Sequence, residues 1–231
     1  MMGLPAEALD YPWGILIPEN DSRDQEMRAY DEADSVNMIS VINESEKPFH
    51  HHLFGVKVPI KNLLSAKTAF CEMHFAAVRP LVLTPDEKAI LQEYLKRGGF
   101  ILFFIDTYPY AQDEFWKVKD WPLIDFVRQE LPGADPRFTA GRATDDFSIF
   151  GIHYKTQTAD AIRHELLGNP NTPNRTLLFY EGRLCCFVMG KYGYLDGDTW
   201  VPRPRPFAND FSMDPKSYRL IVNIYNYSIV Q

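Results

Sequence analysis

Cysteine is scarce in this sequence. The 231 residues include three, Cys71, Cys185 and Cys186, too few and too irregular for a disulfide framework and without a Cys-x-x-Cys motif. Neighbouring strand residues point to opposite faces, so Cys185 and Cys186 are poorly placed to pair with each other. Free thiols packed as small hydrophobes are the expectation. Positive charge is also short: 24 Lys and Arg stand against 31 Asp and Glu, a formal charge of -7. A general nucleic-acid binder needs a basic face, so nucleic acid is not an expected partner. No window approaches eighteen consecutive apolar residues, so no membrane span is expected. The opening MMGLPAEALDYPWG lacks a basic stretch followed by an apolar one. Read as a complete chain, that places the protein in the cytoplasm; removal of an N-terminal signal would instead make it exported.

What is present is a large apolar fraction, 45%, with 14% aromatics, enough for a sizeable core. Trp13 to Pro18 reads as a first strand. Asp24 to Ile42 carries Met27, Tyr30, Met38, Ile39 and Ile42 at roughly helical spacing. Asn43 to Lys61 is polar, includes His50, His51 and His52, and reads as a loop. Ala69 to Phe75 is a strand candidate. Thr84-Pro85-Asp86-Glu87 combines an N-cap, a proline at the first helical position and a capping-box glutamate. An apolar stripe through Leu95 follows, then Lys96, Arg97 and a Gly98 stop.

Phe100 to Ile105, FILFFI, is unbroken apolar sequence and predicts a strand covered on both faces. A helix is expected within Asp113 to Leu131, opened by Pro122, with Leu123, Ile124, Val127 and Leu131 toward the sheet. Ser148 to Tyr154 is a further strand candidate. Thr176 to Tyr180 and Arg183 to Met189, joined by Glu181-Gly182, predict a hairpin. Gly190 to Phe211 is long and irregular, and Asp214-Pro215 caps a final helix. Helix, tight turn, buried strand and helix in succession belong to an open, mostly parallel sheet covered by helices.

Three blocks resemble a known family. LTPDEKAILQEYLKRGGFIL, Leu83 to Leu102, is similar to its signature of an acidic pair, a helix and Gly-Gly-Phe-Leu. EGRLCCFVMGKYGYLDGDTW, Glu181 to Trp200, is similar to its Gly-Arg-Leu strand and Asp-Gly-Asp-x-Trp turn. YRLIVNIYNYSIV, Tyr218 to Val230, resembles its closing helix, and DDFSIFGIHY, Asp145 to Tyr154, is a weaker match. The family is the bacterial domain-of-unknown-function family 4159, with a class I glutamine-amidotransferase-like fold. The likeness runs from about residue 69 to 231, with residues 1–68 divergent. It implies one domain: an α/β three-layer sandwich, flavodoxin-like or amidotransferase-like, with a mostly parallel sheet and a β-hairpin extension. The family usually has an Asp-Asp pair where this chain has Phe104 and Ile105, and Asp106 follows.

Ligands of such sheets bind at the carboxyl ends of the strands. Asp106, Thr107 and Tyr108 are therefore candidates, with Asp106 as a base, a metal ligand, a polar anchor or merely the cap of a following helix. A glutaminase needs a cysteine on a sharp turn after a strand, and this turn has no cysteine, serine or early glycine. His74 can reach the same edge, but Cys71 lies three residues away on the opposite face, which makes the two a poor dyad. Asp196, Asp198 and Trp200 lie in the long loop within a family block and complete the ligand-binding candidates. If the loop and the turn share a sheet edge, Asp106, Asp196 and Asp198 would crowd together and recruit a proton or a cation.

The bland readings are a solvated loop for His50 to His52, a structural placement for Asp145, Asp146 and His153, and a solvated strip for Arg203 and Arg205. With no nucleophile, complete metal set or phosphate loop visible, no cofactor is expected. The favoured function is a non-catalytic module that binds an unknown small molecule or protein. The alternative is a hydrolase using Asp106 with a carboxylate or histidine, assisted or not by a metal.

Overall fold

The structure is a computed structural model that describes residues 9–20, 32, 35–36, 38–40, 42–44, 51–76, 82–106, 122–142, 148–150, 152, 176–191, 194–196, 199–201 and 215–230. It is an α/β protein with one seven-stranded, mostly parallel sheet. The strands are β1 (Leu9–Ile17), β2 (His51–Pro59), β3 (Phe70–Ala76), β4 (Phe100–Asp106), β5 (Phe138–Arg142), β6 (Thr176–Tyr180) and β7 (Arg183–Lys191). Their spatial order is β2-β1-β3-β4-β7-β6-β5. The five from β2 to β7 run parallel, while β6 is antiparallel to both β7 and β5. A two-stranded sheet pairs β8 (Tyr194–Asp196) with β9 (Thr199–Val201).

Strand β4 holds the centre because its sequence tolerates no water on either face. Ile101 and Phe103 enter one apolar cluster, and Phe100, Leu102 and Phe104 enter the other. Helix α1 (Pro85–Lys96) covers the first cluster with Leu91 and Leu95. Thr84 starts it with a reciprocal capping box to Glu87, and Pro85 occupies its first turn. Gly98, at φ +100°, stops it in a conformation L side chains rarely adopt. Arg183 then clamps this end. Its guanidinium donates to the carbonyls of Leu95, Gly98 and Gly99. Helix α2 (Pro122–Asp125) continues as a π turn over Phe126–Glu130, and Leu123, Ile124, Val127 and Leu131 join the same cluster.

The second cluster lies on the other face. Helical residues within 32–44 supply Met38, Ile39 and Ile42, and helix α3 (Pro215–Val230) supplies Ile221, Val222, Ile224 and Tyr225. Trp13 and Phe70 pack at 4.3 Å between ring centres, with Phe100 5.6 Å beyond Phe70. Among the described residues, no helix is long and apolar enough to cross a membrane.

Three sequence expectations are corrected. Residues 51–59 form edge strand β2, not loop: Leu53 and Val58 are buried, and nine residues pair in register with β1. Ser148–Phe150 is a 3-10 turn that buries Ile149, not the start of a strand. Beyond Gly190, strand β7 continues to Lys191 and the β8–β9 hairpin follows, so the segment has more order than its Gly, Pro and Asp content suggested. The hairpin at Glu181-Gly182 is as expected. Both residues have positive φ, 51° and 81°, the signature of a type I′ turn. Strand β5 had no counterpart in the sequence reading. The Asp145-Asp146 pair, His153, Arg203 and Arg205 lie outside the described residues.

Candidate functional site

The carboxyl ends of the five parallel strands define one edge of the sheet. Pairing runs Ala76↔Asp106 between β3 and β4 and Asp106↔Lys191 between β4 and β7. Strands β1 and β3 pair only from Trp13↔Phe70 to Ile15↔Glu72. Beyond that point β1 stays with β2 as far as Ile17↔Pro59, and β3 stays with β4. The sheet therefore forks just after Glu72. This is where the chain order reverses, because β2 was laid on one side of β1 and β3 on the other.

A polar cluster is buried at the fork. Glu72 and His74 are two apart on β3, so they share a face, the one that also carries Phe70. Both are almost wholly removed from solvent, at 0% and 3% exposure. His74 Nε2 lies 3.3 Å from Glu72 Oε1. Ser35, from the helical residues of 32–44, donates its hydroxyl to the same Oε1 and sits 3.4 Å from His74 Nε2. The imidazole stacks on Phe104 at 5.0 Å. Among the described residues Glu72 Oε2 has no hydrogen-bond partner.

The fork is braced on its other side by Glu87. One carboxylate oxygen accepts from the amide of Glu19, just past β1, at 2.6 Å. The other accepts from the amide of Thr84 at 2.9 Å, closing the capping box. The exit of β1 and the first turn of α1 are thus tied to a single side chain.

These residues do not make a hydrolytic triad. In a serine triad the hydroxyl and the carboxylate address different ring nitrogens, so that the imidazole passes a proton between them. Here Ser35 and Glu72 both address Nε2, and Ser35 is fully buried. Nor is there a poised thiol. Burial pushes Cys71 and Cys185 up to about 12 and raises Cys186 as well, whereas a nucleophilic cysteine needs a lowered value. Cys71 and His74 point to opposite faces, as expected, with Cys71 in the α1-side cluster.

Of the sequence candidates, His74 stands in this polar cluster. Asp106 ends β4 between Ala76 and Lys191. Asp196 ends β8 opposite Thr199, and Trp200 pairs with Leu195; β8 begins three residues after Lys191. Thr107, Tyr108 and Asp198 lie outside the described residues. The sequence reading overlooked Glu72 and Ser35. Glu72 had a signal: in FCEMHF the alternate positions after Phe70 are Glu and His, two polar groups on one face of a core strand. Ser35 had none, since it reaches the cluster from 37 residues away.

Neither the models of known protein families nor the curated proteins provide a match to this chain.

Proposed function

We propose that the chain is a ligand-binding or assembly module on an amidotransferase-like α/β scaffold that lacks the amidotransferase cysteine chemistry. One observation carries this reading. All three cysteines lie inside core strands as buried thiols, and none stands at a strand-end turn. The strand order adds support. The run β2-β1-β3-β4-β7 has the 2-1-3-4-5 arrangement of flavodoxin-like sheets, whose ligands sit where the order reverses. In this reading the ligand enters at the β1–β3 fork, above His74. Asp106, at the end of β4, stands at the same edge of the sheet.

The test pairs two measurements on the purified chain. Ammonia release from glutamine should stay at the no-enzyme background. Fragment binding followed by amide chemical shifts should perturb the carboxyl ends of β1, β3, β4 and β7. Glutamine hydrolysis, or fragments that gather only at the opposite sheet edge, would overturn the reading.

The hydrolase alternative has one observation in its favour. The β3–β4 register sets Asp106 opposite Ala76, two residues from His74. A panel of ester, amide and phosphate substrates, assayed with the parent chain and with Asp106→Asn, separates the two. Turnover lost in the variant would support the hydrolase.

A further inference from the structure

The amino-terminal edge of the sheet, opposite the fork, has a cleft of its own. It measures about 390 Å³ and opens where the chain enters β3 and β4. Clefts of about 300–1,000 Å³ are the usual size of small-molecule sites. We propose that this one binds a small organic anion, a carboxylate or phosphate on an apolar body, with the charged end between Lys67 and Arg97.

Strand register brings the two cations to one place. Phe70 and Phe100 pair across β3 and β4, and the Phe100 amide donates to the Ala69 carbonyl. Lys67 and Arg97 each stand three residues before that pair, so they enter at the same level from neighbouring strands, and both line the cleft. Both are exposed, and no Asp or Glu is among the lining residues. Lys67 has no ion-pair partner among the described residues. Arg97 gives its Nε to Glu93, which leaves the two terminal nitrogens of the guanidinium for a ligand. Gly98 keeps the mouth clear: a Cβ added there would meet nothing within 4 Å.

The acceptors around the cleft are already used. The end of a helix presents carbonyls that repel an anion. At the end of α1, Arg183 takes the carbonyls of Leu95, Gly98 and Gly99 and adds a third positive charge. The Tyr94 hydroxyl donates to the Phe100 carbonyl, and the Thr68 hydroxyl faces the carbonyls of Pro12 and Phe70. What is left for a ligand is positive charge, with apolar surface beside it from Leu64, which is exposed, and Ala66. A cationic ligand would be repelled, and an uncharged apolar one would make no use of Lys67 or Arg97.

The experiment titrates the full chain at low salt with phenyl phosphate and with benzoate, and follows amide signals by NMR. The amides of Ala66, Lys67, Gly98 and Gly99 should move and saturate with at least one of the two anions, and benzyl alcohol should move them little. Lys67→Gln and Arg97→Gln should each weaken binding by about three- to fivefold, as befits exposed charges, and Lys67→Arg should restore it. If Arg97→Gln does not fold, the contrast between Lys67→Gln and Lys67→Arg decides alone. Benzyl alcohol acting as strongly as the anions, unchanged affinity in Lys67→Gln, or shifts confined to other regions would overturn the proposal. The amides at the carboxyl ends of β1, β3, β4 and β7 report the fork separately in the same spectra, so this site and the binding-module reading stand or fall apart from each other.

Discussion

Cys71, Cys185 and Cys186 are ionisable groups that the fold keeps neutral, and this has a sign that can be checked. Burial raises Cys71 and Cys185 to about 12 and Cys186 in the same direction, above the unfolded value near 9. The folded chain therefore holds more protons than the unfolded chain between about pH 9 and 12, and stability falls across that window as pH rises. Urea unfolding at pH 8 and pH 10.5 should give the lower midpoint at pH 10.5, and replacing Cys185 by alanine should narrow the gap. At pH 8 the native thiols should resist a thiol-specific dye, whereas the unfolded chain should react at all three. Rapid labelling of the native chain would show that at least one thiol is open. Phe103 is a second single-residue test. Its ring is fully buried, 5.5 Å from Phe75 and 6.1 Å from Phe126. Phe103→Ala should cost about 3–5 kcal/mol in denaturant unfolding, and a loss below about 1 kcal/mol would contradict the packing. Residue-scale features were legible where chemistry is local. A run of six apolar residues announces its burial, and isolated cysteines in apolar strands announce inert thiols. The Ser35–Glu72 contact was not legible, because nothing near Ser35 states what lies opposite it.

Helix α1 is an element whose two ends are secured by different parts of the chain. Its start depends on Glu87, which serves the Thr84 cap and the Glu19 amide together, and its end depends on Arg183. Glu87→Ala should cost about 1–3 kcal/mol, because it removes a cap and leaves two backbone amides without their acceptor. Hydrogen exchange should then quicken at Glu19 and at Thr84 together; acceleration at Thr84 alone would show that the link to β1 carries nothing. Elements made by neighbours in sequence, such as this helix and the Glu181-Gly182 hairpin, were readable because caps and turns act over about four residues. Strands β2 and β5 were not. HHLFGVKVP and FTAGR lack strong alternation, and they become strands through partners far away, β1 and β6. The site follows the same division. His74 and Asp106 were visible as strand ends, while the fork beside His74 exists only through the pairing of β1 with both β2 and β3.

At the scale of the molecule, strand order decides what must wait for what. Strands β1 to β4 come from residues 9–106 and pair among themselves. The far edge of β4 is covered by β7, from residues 183–191, and β6 and β5 reach the sheet only through β7. No sequence pattern states this order, because it rests on pairings some eighty residues apart. During synthesis the growing chain therefore carries an uncovered edge made of FILFFI, the most apolar segment it has, for as long as the next eighty or so residues take to emerge. At about 5–20 residues per second that delay is on the order of 4–16 s. A bare apolar strand edge is a template for pairing with a neighbouring chain. A chain ended after residue 175 should thus self-associate in light scattering, and a monodisperse monomer would contradict this. Slowing translation between residues 107 and 182 should lower the yield of full-length protein more than the same slowing after residue 191. The hazard is one of timing: it ends when the seventh strand arrives, before the last helix has been made.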